Sequence, residues 1–160
     1  IKVSSNYENL THFTADNMID YISKHFADDD KKVATIKTFS SENMSEVKTK
    51  LKEYIASDVY DIYIASKEAF EAIEDKSVFV DASRYESQII KRDSMLEDSS
   101  GRAYAVPVEG NTLIETFGCT DSKGLYIAAA AEKGDNTSTF RKNGSNICGY
   151  IIENKDKYTY

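Results

Sequence analysis

Apolar residues recur along this chain at two periods, and each change of period marks an element. Residues 60–65 alternate around Tyr60, Ile62 and Ile64, which predicts a strand. Ser66 then opens a short helix carrying Phe70 and Ile73 to about Asp75, and an apolar segment at 78–82 follows. Upstream, Ile1 and Val3 alternate with polar partners, as in a first strand over 1–7. Ala15, Met18, Ile19, Ile22 and Phe26 share one face of a helix over 11–27. The β-branched run 33–39 predicts a second strand, with Ala34, Ile36 and Thr38 facing one way. A helix ending near Ala56 buries Met44, Val47, Leu51, Tyr54 and Ile55. Ser40 or Ser41 is its expected cap, and Glu46 and Lys50 are placed to pair on its wet face.

Past residue 82 the anchors thin to Ile89, Ile90 and Leu96. A Gly-containing turn at 98–101 precedes the apolar run 103–108, so this stretch reads as a hairpin or a strand joining a sheet edge. Pro107 donates no ladder hydrogen bond, which suits an edge or a strand end. Residues 109–111 and 121–124 read as turns, 112–117 as a short apolar piece and 125–131 as a buried strand. A last helix from Thr139 takes Phe140, Ile147, Tyr150 and Ile151 as its apolar set. Gly144 and Gly149 each weaken it by about 1 kcal/mol relative to alanine. Strands alternating with helices through short connections follow the βαβ rhythm. The expected fold is one α/β domain, a three-layer α/β/α arrangement with a mixed, mainly parallel sheet.

Composition narrows the classes of partner. At 160 residues, 41% hydrophobic and 29% charged, the chain has ordinary globular proportions. Net charge is −7, and the densest basic runs are pairs such as Lys31-Lys32 and Lys91-Arg92, so nucleic acid is not an expected partner. No stretch of 18 apolar residues exists, so no membrane insertion is expected within this chain. Three acidic residues at 28–30 lack the alternation, glycine and distal glutamate of a calcium loop and read as a solvated turn.

Motifs for catalysis are missing. His12 and His25 lie 13 apart, unsuited to joint metal ligation on a helix, and the two cysteines, Cys119 and Cys148, lie 29 apart. A disulfide and a pair of buried thiols are both open for them. No nucleophile elbow and no phosphate-binding glycine loop occurs. The chain is expected to be non-catalytic, with no cofactor and no metal.

Binding has a better footing. Ligands of open α/β sheets settle at the carboxyl ends of parallel strands. Those ends, with the turn after residue 108, put forward Tyr7, Ser66, Glu109 and Asn111 as ligand-binding candidates. The competing reading of Ser66 is simple helix capping.

The segments ASDVYDIYI at 56–64, VFVDAS at 78–83 and GRAYAVPV at 101–108, with its Gly-x-x-Tyr-x-x-Pro spacing, resemble extracellular solute-binding proteins of the type II periplasmic-binding fold. Residues 125–127 and the last helix resemble that family's returning strand and following helix. Such proteins have two lobes, and this chain leaves no space for a second between 108 and 125. The resemblance therefore implies a single lobe or shortened form, processed from a larger exported protein with an upstream anchor. It further implies an extracytoplasmic, cell-surface binding domain for a small solute. The alternative is a structural or protein-interaction domain of a cell-surface protein, marked by an exposed tyrosine-rich face.

Overall fold

The computed structural model describes residues 39, 41–58, 60–111, 114, 122–132 and 139–153. The expected elements at 1–7, 11–27 and 33–38 lie outside these residues, as do Tyr7, Cys119 and most of 112–117. Helix α1, Met44–Ser57, forms on the stripe that the periodicity predicts, with Leu51 buried and Met44, Val47, Tyr54 and Ile55 half-buried. Its cap is not Ser40 or Ser41 but Asn43, whose side chain accepts the Ser45 N–H at 2.9 Å. Ser41 instead accepts the Asn43 N–H and donates to Glu46 at 2.6 Å. With Glu46 so engaged, Lys50 pairs with Glu53 at 3.4 Å.

Strand β1, Ile62–Ser66, leads directly into the short helix α2, Lys67–Glu71, capped by Ser66. Strand β2, Leu96–Glu97, turns through Gly101 into β3, Ala103–Pro107. Gly101 sits at φ +83°, a left-handed conformation that L side chains rarely adopt. Strand β4 is Leu125–Ala129 and helix α3 is Thr139–Glu153.

The sheet order is β1-β4-β3-β2, and every pairing among these strands is antiparallel. This overturns the expected three-layer α/β/α domain with a mainly parallel sheet. The reason is local: the apolar segment at 78–82 lies between the tight turns Lys76–Val78 and Ala82–Tyr85 and makes one antiparallel bridge, Phe79 to Ala130, in place of a parallel strand after α2. The neighbour of β1 is therefore β4, with Ile62 opposite Ala129 and Ser66 opposite Leu125. Short-range rhythm suggests parallel crossovers, but hydrogen-bond partners are chosen across the whole chain.

Alternation sends successive side chains to two separate cores. Ile62, Ile127 and Ala129 pack with Cys148, Ile151 and Ile152 of α3. Tyr63, Ala65, Ala128 and Ala130 pack with Leu51 of α1 and Phe70 of α2. A bulge in β3 shifts this phase. Leu96 lies opposite Ala105 while Glu97 lies opposite Ala103, so β3 carries one extra residue. Tyr104 and Ala105 thus both face the aromatic core, whereas Ala103 and Val106 face the aliphatic one.

The aromatic core centres on Phe79, which is fully buried. Its ring stacks on Tyr104 at 5.6 Å and meets Phe70 and Tyr63 edge-on at 5.5 and 6.0 Å. Each such pair adds about 0.5–1.5 kcal/mol beyond the area it buries. Arg102 holds this turn from behind, donating to the carbonyl of Phe79 at 2.6 Å and to that of Lys76 at 3.3 Å. The Lys76 ammonium lies 5.6 Å over the Tyr104 ring and donates to the carbonyls of Glu71 and Ile73.

The two glycines that weaken α3 as a helix let it approach its neighbours. A Cβ on Gly144 would stand 2.7 Å from Cβ of Asp61 and 3.3 Å from its carbonyl oxygen. A Cβ on Gly149 would stand 3.2 Å from Cε1 of the Tyr85 ring. Gly144→Ala is therefore expected to destabilise the protein by about 1–3 kcal/mol, despite its better helix propensity. Gly149→Ala meets a ring edge that can shift and should cost less. Urea denaturation of the two variants measures the order.

Asp98 organises the β2–β3 turn. Its carboxylate accepts the Ser100 hydroxyl at 2.7 Å and the backbone N–H groups of Ser100 and Arg102 at 2.9 and 3.0 Å. These bonds, the Ser100 hydroxyl foremost, hold its pKa below the ordinary value of 3.8. A depressed carboxylate contributes stability above its unfolded pKa and loses it as pH falls through the folded value. Stability should accordingly drop on acidification below about pH 4. In Asp98→Asn that part of the dependence should vanish, as denaturation midpoints across the acid range would show.

Candidate functional site

Beyond the carboxyl end of β4 the chain continues along the 78–81 stretch. The Val80 N–H donates to Ala129 at 2.8 Å, and the Ala131 N–H to Val78 at 2.8 Å. The sequence then turns at Asp81, whose side chain accepts the Ser83 N–H at 2.9 Å and so starts the tight turn Ala82–Tyr85. Helix α3 crosses the same end of the sheet because Gly144 allows it against Asp61. These three segments enclose an open groove of ≈ 380 Å³.

One wall carries Val80, Asp81 and Arg84. The floor is Ala130 and Ala131, leading to Glu132, and the far wall is Ser145 and Asn146 of α3. Ala130, whose methyl group packs in the aromatic core, and Ala131 add little bulk to the groove. Asp81, Arg84, Glu132 and Asn146 are exposed, whereas Ser145 is buried at 7%. Arg84 donates from Nη1 to Oγ of Ser145 at 2.6 Å across the groove. The Tyr85 hydroxyl donates to the Ser145 carbonyl at 2.9 Å and lies 3.0 Å from its Oγ. Ser145 thus ties the turn to the helix while presenting a polar surface to the groove.

Electrostatics divide the groups into charged rim and neutral interior. Hydrogen bonds from the Ser83 backbone and side chain hold the Asp81 pKa below 3.8, with Arg102 and Arg92 adding to the effect. Asp81 is therefore a carboxylate at neutral pH. Behind the wall, Cys148 is a buried free thiol. Burial pushes its pKa up to about 12, and burial likewise raises the Tyr85 hydroxyl well above 10. Both stay protonated at neutral pH, so neither is an anionic nucleophile. Among the described residues no group of three or more His, Cys, Asp or Glu is placed to hold a metal ion. None of their helices is long and apolar enough to cross a membrane.

The sequence-derived candidates among the described residues, Ser66, Glu109 and Asn111, gather at the other end of the sheet. Ser66 and the segment after β3 flank Leu125, which Ser66 opposes and whose carbonyl accepts the Val108 N–H at 3.0 Å. Ser66 accepts the Ala69 N–H at 3.3 Å as the cap of α2. Glu109 is exposed in a turn. Asn111 is buried at 2%, donating to the Ile151 carbonyl at 3.1 Å and accepting the Ile114 N–H at 3.1 Å. Both ends of its amide are engaged, the nitrogen joining the loop to α3 and the oxygen bonding within the loop. Tyr7 lies outside the described residues. Sequence reasoning passed over Asp81, Arg84, Glu132, Ser145 and Asn146. The alanine run at 128–131 was the only local signal, because nothing along the chain links residue 84 to residue 145.

No family model, curated protein or solved structure matches this chain.

Removing the Asn111 amide leaves the Ile151 carbonyl and the Ile114 N–H without it in a buried site. Asn111→Ala is expected to lower stability by roughly 1–3 kcal/mol, whereas Glu109→Ala at the exposed turn should change it by less than about 0.5 kcal/mol. Denaturation midpoints of both variants provide the check.

Proposed function

We propose that this chain is a non-catalytic binding domain that acts outside the cytoplasm and takes a small polar solute in the groove between Asp81, Glu132 and Asn146. The observation that carries this reading is the groove itself. It combines an alanine floor with several convergent polar groups, and its ≈ 380 Å³ falls at the small end of ligand sites. Action outside the cytoplasm draws its support from the motifs at 56–64, 78–83 and 101–108 that resemble solute-binding proteins. Several tyrosines that a flat interaction face would use lie inward: Tyr63 and Tyr104 are buried, and Tyr54, Tyr60, Tyr85 and Tyr126 half-buried.

A thermal-shift screen of sugars, amino acids, short peptides and amines provides the test, run on the wild type and on Asn146→Trp, which fills the groove from an exposed helical position. A solute present at 100 times its dissociation constant should stabilise the wild type by about 2.7 kcal/mol. The variant should fold, by circular dichroism, and show no such shift. A panel without a hit, or a hit that the tryptophan leaves intact, would overturn the assignment.

A further inference from the structure

Resting on that groove, we infer that its ligand is a small solute bearing an ammonium group, and that Glu132 and Asp81 select it. The two carboxylates stand on different elements, Asp81 at the start of a tight turn and Glu132 just past β4. The one cation lining the groove, Arg84, donates to Ser145 at 2.6 Å, which turns part of its guanidinium towards the helix wall. Among the lining residues two carboxylates stand against one guanidinium, Arg92 and Arg102 reaching Asp81 from outside the groove, within a chain of net charge −7. Such a field concentrates cations and repels anions before contact.

Hydrogen-bond chemistry agrees with the charge. Carboxylates accept only, so Asp81 and Glu132 need donors, and an ammonium supplies three. Asp81 accepts from the Ser83 N–H at 2.9 Å and from the Ser83 side chain, and its remaining lone pairs keep further acceptor capacity. The Asn146 amide adds an acceptor and two donors on the facing wall. Val80 and Ala131, both half-buried, offer aliphatic surface suited to a short methylene chain. An ammonium head on a short aliphatic body fits both surfaces, and the groove volume limits that body to a small one.

The test uses butanediamine, butanediol and succinate, chains of one length that differ in charge, titrated by calorimetry and by amide chemical shifts. The diamine should bind, and more weakly as salt is raised. Its shifts should centre on residues 81–84, 130–132 and 145–146. Glu132→Gln, at an exposed position, should weaken it by about three- to fivefold. Glu74→Gln, at an exposed site away from the groove, should leave it unchanged. Binding of butanediol or succinate in preference to the diamine, blocked by Asn146→Trp, would overturn the ammonium class while keeping the groove as a site. Equal losses in the Glu74 and Glu132 variants would mark diffuse attraction and overturn it too. No binding by any of the three would count against the groove itself.

Discussion

Strand β4 has no solvent face in its second half. Ile127, Ala128 and Ala129 are each about 1% exposed, and the strand is paired on both edges, to β1 and to β3. Burial on both faces and both edges at once is the constraint on which the rest depends. It requires a separate apolar layer on each side, which α1 and α2 supply on one face and α3 on the other. It also favours small side chains, because helices and turns must come close to so short a sheet. The alanines at 128–131 meet that requirement, and the last two, Ala130 and Ala131, line the groove where the strand ends.

Close approach is managed differently on the two faces. On the aromatic side, large rings fill the space, with Phe79 wedged among Tyr63, Phe70 and Tyr104. The bulge in β3 matters here, since without the extra residue Tyr104 and Ala105 would not both face that core. On the aliphatic side, space is removed instead. Gly144 and Gly149 bring α3 against Asp61 and Tyr85, and that approach carries Ser145 within reach of Arg84 and of the Tyr85 hydroxyl. The groove is thus a consequence of packing: its floor comes from the strand, its far wall from a helix that glycine lets in, and its near wall from the bridge and tight turn over 79–85.

Much of the local structure was legible before any coordinates. The stripe of α1, the strand at 62–66, the Ser66 cap, the turn at Gly101, the strands at 103–107 and 125–129 and the helix from Thr139 all follow from periodicity and turn chemistry. Segments that failed did so for identifiable reasons. Residues 78–82 have the apolar content of a strand, but Asp75 and Asp81 each cap a tight turn with a side-chain oxygen, which divides the run around a single bridge. Ser40 and Ser41 suit a cap as well as Asn43 does, and only the geometry of the first turn separates them. Asn111 sits in a sequence context typical of an exposed turn, yet its amide is buried against Ile151, a residue 40 positions away.

By itself, then, the sequence determined most of the helices and strands among the described residues, and which side of each is apolar. Those properties arise from interactions spanning a few residues, and hydrophobic periodicity and capping side chains record them directly. Tertiary structure decided the strand order, the antiparallel sense of every described pairing and the meeting of residues 81–84 with 130–132 and 145–146. Antiparallel and parallel neighbours expose similar apolar faces, so the local pattern does not distinguish them. What separates them is the joint filling of two cores by segments more than 60 residues apart, and that is a property of the folded whole.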